Sequence, residues 1–356
     1  MKIGFDIQST LGKITGIPRY TLNLMDALAR LENPPELYQF QNGVRRDLRT
    51  YERFWWEAVD LPSQFAKSPV DAIHVPGFGI RKSGKKKVII TAHDIIGYLF
   101  PQNLSLTARL YWGNWLARCF RQADHLICNS HHTKGDLIQY LQIPEQKISV
   151  IYIDADPNCR AIPVEEAGNK VAQSLGVKEP YFLFVGTIEP RKNLVRTLKA
   201  YSEALKRKSD LPKLLVVGAK EWGTEMFEKA LIDFKLRNQV ITTGYVPDEL
   251  LWNIYSAAHA VIFVSLYEGF GLPLVEAVKC HVPVLASNNS SLGELGNDCA
   301  YLVDPYSEEE IARGIYELGT NPGLIKELKE KGIHKSNTFS WSKTARETAE
   351  VYKKFA

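Results

Sequence analysis

The stretch SLYEGFGLPLVEA, residues 265–277, decides the fold. The apolar run AVIFVSL leads into it and reads as a buried strand, while LPLVEAV reads as a helix with Pro273 in its first turn. Between them Gly269 and Gly271 carry no side chain, so backbone amides there can come close to a ligand. Strand, glycine-rich loop and helix N-terminus, in that order, form the place where an α/β protein holds a phosphate or a polar sugar. Two acids, Glu268 and Glu276, stand eight positions apart across it.

The same alternation extends in both directions. Short apolar strands are expected at 181–187, 213–219, 239–246, 259–265, 282–287 and 299–304, with helices such as 193–206 and 248–257 between them. Upstream, KIGFDIQ opens a second series, followed by a loop through Gly12 and Gly16 and a helix carrying Ile17, Thr21, Leu24, Leu28 and Leu31 on one side. Further strands are expected at 71–75, 87–93, 125–130 and 148–153, and a helix at 133–141 after His131 and His132. Residues 155–180, with Pro157, Pro163, Gly168 and Gly176, mark a change of regime, and a helix over 165–175 is expected to bridge the halves. This is the pattern of two α/β domains with mostly parallel sheets, which would face each other across a deep cleft lined by strand C-terminal loops. The length of 356 residues suits two such domains.

Composition excludes several classes. Hydrophobic content of 45% and charged content of 24% describe an ordinary globular chain, and no apolar run approaches a membrane span. Five scattered cysteines and no signal peptide point to a reducing cytoplasm. The net charge of +4 is uneven, with 21 Lys and Arg against 17 Asp and Glu in residues 1–170. Arg81, Lys82, Lys85, Lys86 and Lys87 form the densest basic run, and residues 104–123 mix Leu110, Tyr111, Trp112, Trp115 and Leu116 with Arg109, Arg118 and Arg121. Such a segment could rest on an anionic bilayer surface, at the inner face of the cytoplasmic membrane, or be an exposed basic turn beside a core-facing helix. Nothing accompanies the charge that would read nucleic acid.

The loop GTIEPRKN, residues 186–193, leaves a strand and enters a helix. Arg191 and Lys192 are cations at a helix start, where the helix dipole opposes them and a bound diphosphate would relieve the conflict. Gly16, in a loop with Lys13 and Thr15, begins a helix that could meet the same diphosphate. Neither a Walker A loop nor a GxGxxG after either first strand is present, which counts against NAD or FAD. His93 and Asp94 end a strand. The histidine can donate to a sugar hydroxyl or to developing negative charge, and the aspartate can orient a ring or an acceptor hydroxyl. Glu276, early in its helix, can take the two hydroxyls of a ribose, while Glu268 reaches the transferred sugar. A glycosidase would also show two carboxylates, but it does not ordinarily need the two cations that suit a diphosphate leaving group.

At these residues the chain resembles the retaining glycosyltransferases of family 4, which have the GT-B fold of two Rossmann-like α/β domains. The likeness rests on Glu268, GFG and Glu276, and on GTIEPRKN (186–193). It is supported by GIPRY (16–20), TAHDIIGYLFP (91–101), NSHHTK (129–134) and GYVPDELLWNIYSAA (244–258). The resemblance implies an acceptor-binding domain over 1–165, a nucleotide-sugar-binding domain over 166–340 and a last helix, 341–356, crossing back to the first domain. It implies that Glu276 binds the nucleotide ribose and Glu268 the donor sugar region. Phe270, Gly271 and Leu272 would offer backbone amides, Lys192 would hold the diphosphate, Gly16 would approach it and His93 would face the donor sugar. Many relatives have arginine directly after the glycine of the 186 loop. This chain has Thr187, and Arg191 would supply that charge. The resemblance further implies that no metal and no cofactor are required.

The form of GTIEPRKN is similar to that in bacterial mannosyltransferases that build O-antigen, part of lipopolysaccharide, or other surface polysaccharides from GDP-mannose. The expected reaction is transfer of a hexose, most simply α-mannose, from a nucleotide diphosphate sugar to a hydroxyl of a glycan or lipid-linked glycan, with retention. A UDP-sugar donor, a GT-B nucleotide-sugar 2-epimerase, an inverting transferase and a non-catalytic nucleotide-sugar-binding protein remain as alternatives.

Overall fold

The computed structural model describes residues 2–219 and 224–355. Packing divides the chain into two units, one formed by Met1–Asp154 with Ser340–Ala356 and the other by Ala155–Phe339. Each is built on a six-stranded, all-parallel sheet.

The first sheet contains β1 (Lys2–Asp6), β2 (Glu36–Phe40), β3 (Ala72–Val75), β4 (Lys87–Ala92), β5 (His125–Cys128) and β6 (Ile148–Val150), in spatial order β2-β1-β3-β4-β5-β6. The inner strands β3 and β5 are buried at every position, as expected where helices cover both faces of a parallel sheet. Strand β2 lies at an edge and is largely exposed, so ELYQF lacks the apolar run by which the others are read. The strand order reverses between β1 and β3. The loops after those two strands, together with the end of β4, therefore surround the position where an open α/β sheet takes ligands.

Two stretches of this unit are π-helical, Trp56–Asp60 and Arg109–Trp115. Glu57 of the first stretch is fully buried and faces the second, with Tyr111 Oη 2.6 Å from Oε1 and Trp115 Nε1 donating to Oε2 at 2.7 Å. The last helix, Trp341–Lys353, belongs to this unit and packs on the helix Gly16–Ala29. Its Tyr352 is fully buried, 2.7 Å from His74 Nδ1, and the other ring nitrogen of His74 lies 2.8 Å from Thr91 Oγ1. Burial drives the His74 pKa down to about 3, so the ring is a neutral relay between β3, β4 and the last helix.

The second sheet contains β7 (Tyr181–Val185), β8 (Lys213–Val217), β9 (Val240–Gly244), β10 (Ala260–Phe263), β11 (Val284–Ser287) and β12 (Ala300–Val303). Their order, β12-β11-β10-β7-β8-β9, is that of a dinucleotide-binding Rossmann domain. Phe182, Phe184, Leu214, Val216, Ile262 and Leu285 form one face of its core with Tyr201 and Phe227 from the covering helices. The helix Val164–Leu175 packs on Asp248–Ala257 and so is part of this unit. The bridging role expected for 165–175 is corrected accordingly. The reversal of strand order falls between β7 and β10, the two strands whose C-terminal loops carry residues 186–193 and 264–271.

Candidate active site

Topology brings the loops after β7 and β10 side by side, and specific bonds fix them. Asn193, with φ +60°, donates its buried amide to Val264 O at 3.0 Å and Pro305 O at 2.7 Å, and Leu266 N donates to Arg191 O at 2.8 Å. From the end of the following strand Ser287 Oγ donates to Ser265 O at 2.6 Å, and from the turn after it Asn289 Nδ2 donates to Leu266 O at 3.0 Å. Ser291 Oγ lies 2.9 Å from Glu268 O and 2.6 Å from Phe270 O. The carbonyls of the loop are thus engaged from behind, which holds it in one shape. On the other side, Gly218 has φ +153°, and a Cβ there would stand 2.0 Å from Gly186 O. Only glycine lets the end of β8 come this close to the 186 loop.

Arg191 and Lys192 lie in a 3-10 turn, Pro190–Lys192, directly before the helix Leu194–Arg207. Both pair with Glu268, whose carboxylate is 2.7 Å from Lys192 Nζ and 2.8 Å from Arg191 Nη1. Arg191 also donates to Tyr267 O at 2.8 Å and pairs with Glu189, and Lys192 Nζ lies 5.0 Å from the centre of the Phe263 ring. Burial pushes the Glu268 carboxyl up, but the charges of Lys192 and Arg191 and the Lys192 hydrogen bond outweigh it and hold the pKa below its ordinary value. Glu268 is therefore ionised and is the counter-anion of both cations. A buried cluster of this kind adds little to stability relative to apolar packing, so its value lies in fixing two cations at a strand end.

Beside it, Gly271 has φ +109° and begins the helix Leu272–Lys279, which has Pro273 in its first turn and no side-chain cap. A Cβ on Gly271 would meet Leu292 Cδ2 at 2.5 Å. Phe270 is buried, edge-on to Phe339 with centroids 6.1 Å apart. Glu276 lies in this helix and accepts from Tyr255 Oη at 2.6 Å. Thr187 follows Gly186, whose amide donates to Val217 O at 2.9 Å. The second unit therefore gathers Thr187, Arg191, Lys192, Glu268, Phe270, Gly271, Leu272 and Glu276 on the ends and following loops of β7 and β10. A hollow of about 1080 Å³ in this unit opens at the opposite ends of the strands, along Pro180, Tyr181, His259, Val282 and Pro283.

Gly16, His93 and Asp94 belong to the first unit. Gly16 begins the helix Gly16–Ala29, and a Cβ there would enter open space. Ile17, His93 and Asp94 line one small cavity of about 60 Å³ with Trp112 and Phe120, and the Tyr20 ring meets the His93 ring edge-on at 4.7 Å. The tautomer of His93 follows from its partners. Nε2 is 2.9 Å from Pro76 O, which can only accept, so Nε2 carries the proton, and Asn129 Nδ2 donates to the bare Nδ1 at 2.7 Å. Burial lowers the His93 pKa to about 4. An incoming hydroxyl would have to share the Nε2 proton with Pro76 O. Asp94 Oδ1 accepts from Ile96 N at 2.9 Å, so one carboxylate oxygen caps the local turn.

Tyr255, Asn129, Asn193 and Gly218 escaped the sequence reading. Their signals, a tyrosine inside GYVPDELLWNIYSAA and polar or glycine residues at strand ends, gain meaning only from partners distant in sequence. An Asp-x-Asp triplet occurs at residues 154–156, where Asp156 Oδ1 accepts from Asn158 N at 2.9 Å in a local turn. Among the described residues no group of three or more His, Cys, Asp or Glu is placed to hold a metal ion, and no helix is long and apolar enough to cross a membrane.

Two family descriptions match the chain: "Glycosyltransferase Family 4" over residues 14–156 and "Glycosyl transferases group 1" over residues 168–335. An O-antigen chain mannosyltransferase B of Escherichia coli is 27% identical over 387 aligned positions, covering 99% of this chain and 100% of that protein. A serotype-specific mannosyltransferase WbdA of Escherichia coli is 28% identical over 73% of this chain, which spans only 32% of its length. Among solved structures, sucrose-phosphate synthase of Thermosynechococcus elongatus superposes with a TM-score of 0.79 at 20% identity, covering 99% of this chain and 98% of its own. The protein is a glycosyltransferase of the GT-B fold. Within that class it is related, at the level of family, to the bacterial family-4 mannosyltransferases that build O-antigen and other surface polysaccharides.

Proposed function

We propose that the protein transfers a hexosyl group, mannose from GDP-mannose in the favoured reading, to a hydroxyl of a glycan or lipid-linked glycan with retention at the anomeric carbon. The observation that carries the reading is the pair Arg191 and Lys192, held by Glu268 at the strand-order reversal beside the uncapped helix Leu272–Lys279. A diphosphate leaving group gains negative charge as the glycosidic bond breaks, and two fixed cations and a helix N-terminus stabilise that charge more than the ground state. Diphosphate oxygens would share or replace Glu268 as partners of the cations, leaving Glu268 to address the sugar. Glu276 would hold the ribose, and the amides of Phe270, Gly271 and Leu272 the sugar and phosphate. Gly16, His93 and Asp94 would serve from the first domain, which would bind the acceptor. The departing phosphate would help deprotonate the acceptor hydroxyl on the same face, so no covalent nucleophile and no bound metal or cofactor is required. The mannose preference rests on the likeness to O-antigen mannosyltransferases.

Lipid-linked acceptors would fit a surface of the first unit on which Tyr51, Phe54, Trp55, Leu106, Leu110 and Trp112 are exposed near Arg109. Aromatic and basic side chains together suit contact with an anionic membrane surface, at the cytoplasmic face.

Calorimetry with GDP, UDP, ADP, GDP-mannose and UDP-glucose tests the donor, and anomeric analysis of the product tests retention. Selective binding of GDP compounds supports the reading. A preference for UDP or ADP compounds overturns the donor, and no binding of any of the five overturns the transferase reading of the cation pair.

A further inference from the structure

The contact between Tyr255 and Glu276 is unlike those of two other buried tyrosines of the second unit. Tyr181 and Tyr201 donate to backbone carbonyls, Ile254 O at 2.8 Å and Pro212 O at 2.7 Å, which is the ordinary way to satisfy a buried hydroxyl. Tyr255 is fully buried, stacks near Trp252 with centroids 6.2 Å apart, and instead donates to Glu276 Oε2 at 2.6 Å. The carboxylate it meets is only half-buried and lies on the neighbouring helix, on the side of the domain where β10 ends. A short bond from a rigid ring to a mobile carboxylate restricts the carboxylate, because the ring has no freedom to follow it.

We propose that Tyr255 is a positioning residue for Glu276, fixing the plane in which that carboxylate accepts the hydroxyls of the nucleotide ribose. The proposal rests on the assignment of ribose binding to Glu276. A vicinal diol needs a carboxylate with both oxygens in a set plane. A carboxylate has about four acceptor positions, and the hydrogen bond from Tyr255 uses one of them. Burial, and then the neighbouring Glu276 charge, raises the Tyr255 hydroxyl well above its ordinary pKa, so it remains a donor throughout the working pH range. The carbonyl of Glu276 is held as well, by Cys280 N at 2.9 Å and the Cys159 thiol at 3.6 Å. Backbone and side chain of Glu276 are thus both fixed before a nucleotide arrives.

The test compares the best-bound of GDP, UDP and ADP with its 2′,3′-dideoxy analogue, on the wild type, Tyr255→Phe, Glu276→Ala and the double variant, with melting recorded for each. The wild type should prefer the ribonucleotide. Tyr255→Phe should lose about 10-fold of that preference, the effect of one charge-assisted hydrogen bond, and should raise the donor KM while leaving kcat nearly unchanged. Adding Tyr255→Phe to Glu276→Ala should change neither affinity. If Tyr255→Phe lowers the melting temperature but keeps the full ribose preference, or weakens both nucleotides equally in both backgrounds, Tyr255 is a packing residue and the proposal fails alone. If the wild type does not distinguish the two nucleotides, or Glu276→Ala keeps the distinction, the ribose assignment itself fails.

Discussion

Replacing Lys192 by methionine removes one charge while keeping an unbranched apolar stem beside the Phe263 ring. Glu268 would retain Arg191 at 2.8 Å, so the carboxylate is not stranded. The loss of stability should stay near 1–2 kcal/mol, below the ~3–5 kcal/mol of an unpaired buried charge. Donor binding should suffer more. A bond between an ammonium and a phosphate oxygen contributes about 1.5–3 kcal/mol, which is roughly 10- to 150-fold in Kd. The defect should track the phosphates, so the gain in affinity from nucleoside monophosphate to diphosphate should shrink by that factor. Turnover should fall further, on the order of 100-fold in kcat, because the leaving diphosphate gains charge in the transition state. Titration calorimetry with both nucleotides and initial rates at saturating donor measure the two effects. An unchanged step from monophosphate to diphosphate would refute the reasoning, as would an equal loss for both nucleotides.

Two further outcomes concern stability. Burial raises the Glu57 carboxyl to about 8 from 4.5, so the native state keeps this proton longer than the unfolded chain. The stability it contributes is complete below about pH 4.5 and is lost as pH rises through about 8, on the order of 4–5 kcal/mol in all. Glu57→Gln mimics the protonated acid, donating to Tyr111 Oη and accepting from Trp115 Nε1, so its advantage over the wild type should grow between pH 5 and pH 9; parallel denaturant midpoints would contradict this. Gly218→Ala must place a methyl 2.0 Å from Gly186 O at φ +153° and should cost several kcal/mol, more than about 3. A drop in melting temperature of under a few degrees would show that the two loops separate freely.

All six strands of the second sheet could be read from the sequence: the four inner ones are short apolar runs largely buried on both faces, and the edge strands β9 and β12, only partly buried, keep enough apolar residues to be recognised. In the first sheet β2 was missed, since an edge strand keeps exposed side chains and loses the run. The helical stretch from Thr50 to Lys67 was missed for another reason. Its π-helical turn at Trp56–Asp60 breaks the 3.6-residue period, and its buried Glu57 reads as surface until Tyr111 and Trp115 are seen to enclose it. Arg191 and Lys192 appeared as cations in conflict with a helix start, but their partner in the structure, Glu268, lies 76 positions from Lys192. No local rule supplies that pairing; it depends on β7 and β10 being neighbours in the sheet.

The last helix has a consequence for how the molecule is made. Residues 155–339 form one uninterrupted unit, whereas the other unit needs Tyr352 to reach His74 and close its core. The second unit can therefore fold from one continuous stretch of chain, while the first, although it is encoded first, waits for its final helix. A chain truncated before residue 340 would carry a complete second unit and an unfinished first one, exposing the groove meant for the missing helix to chaperones and proteases.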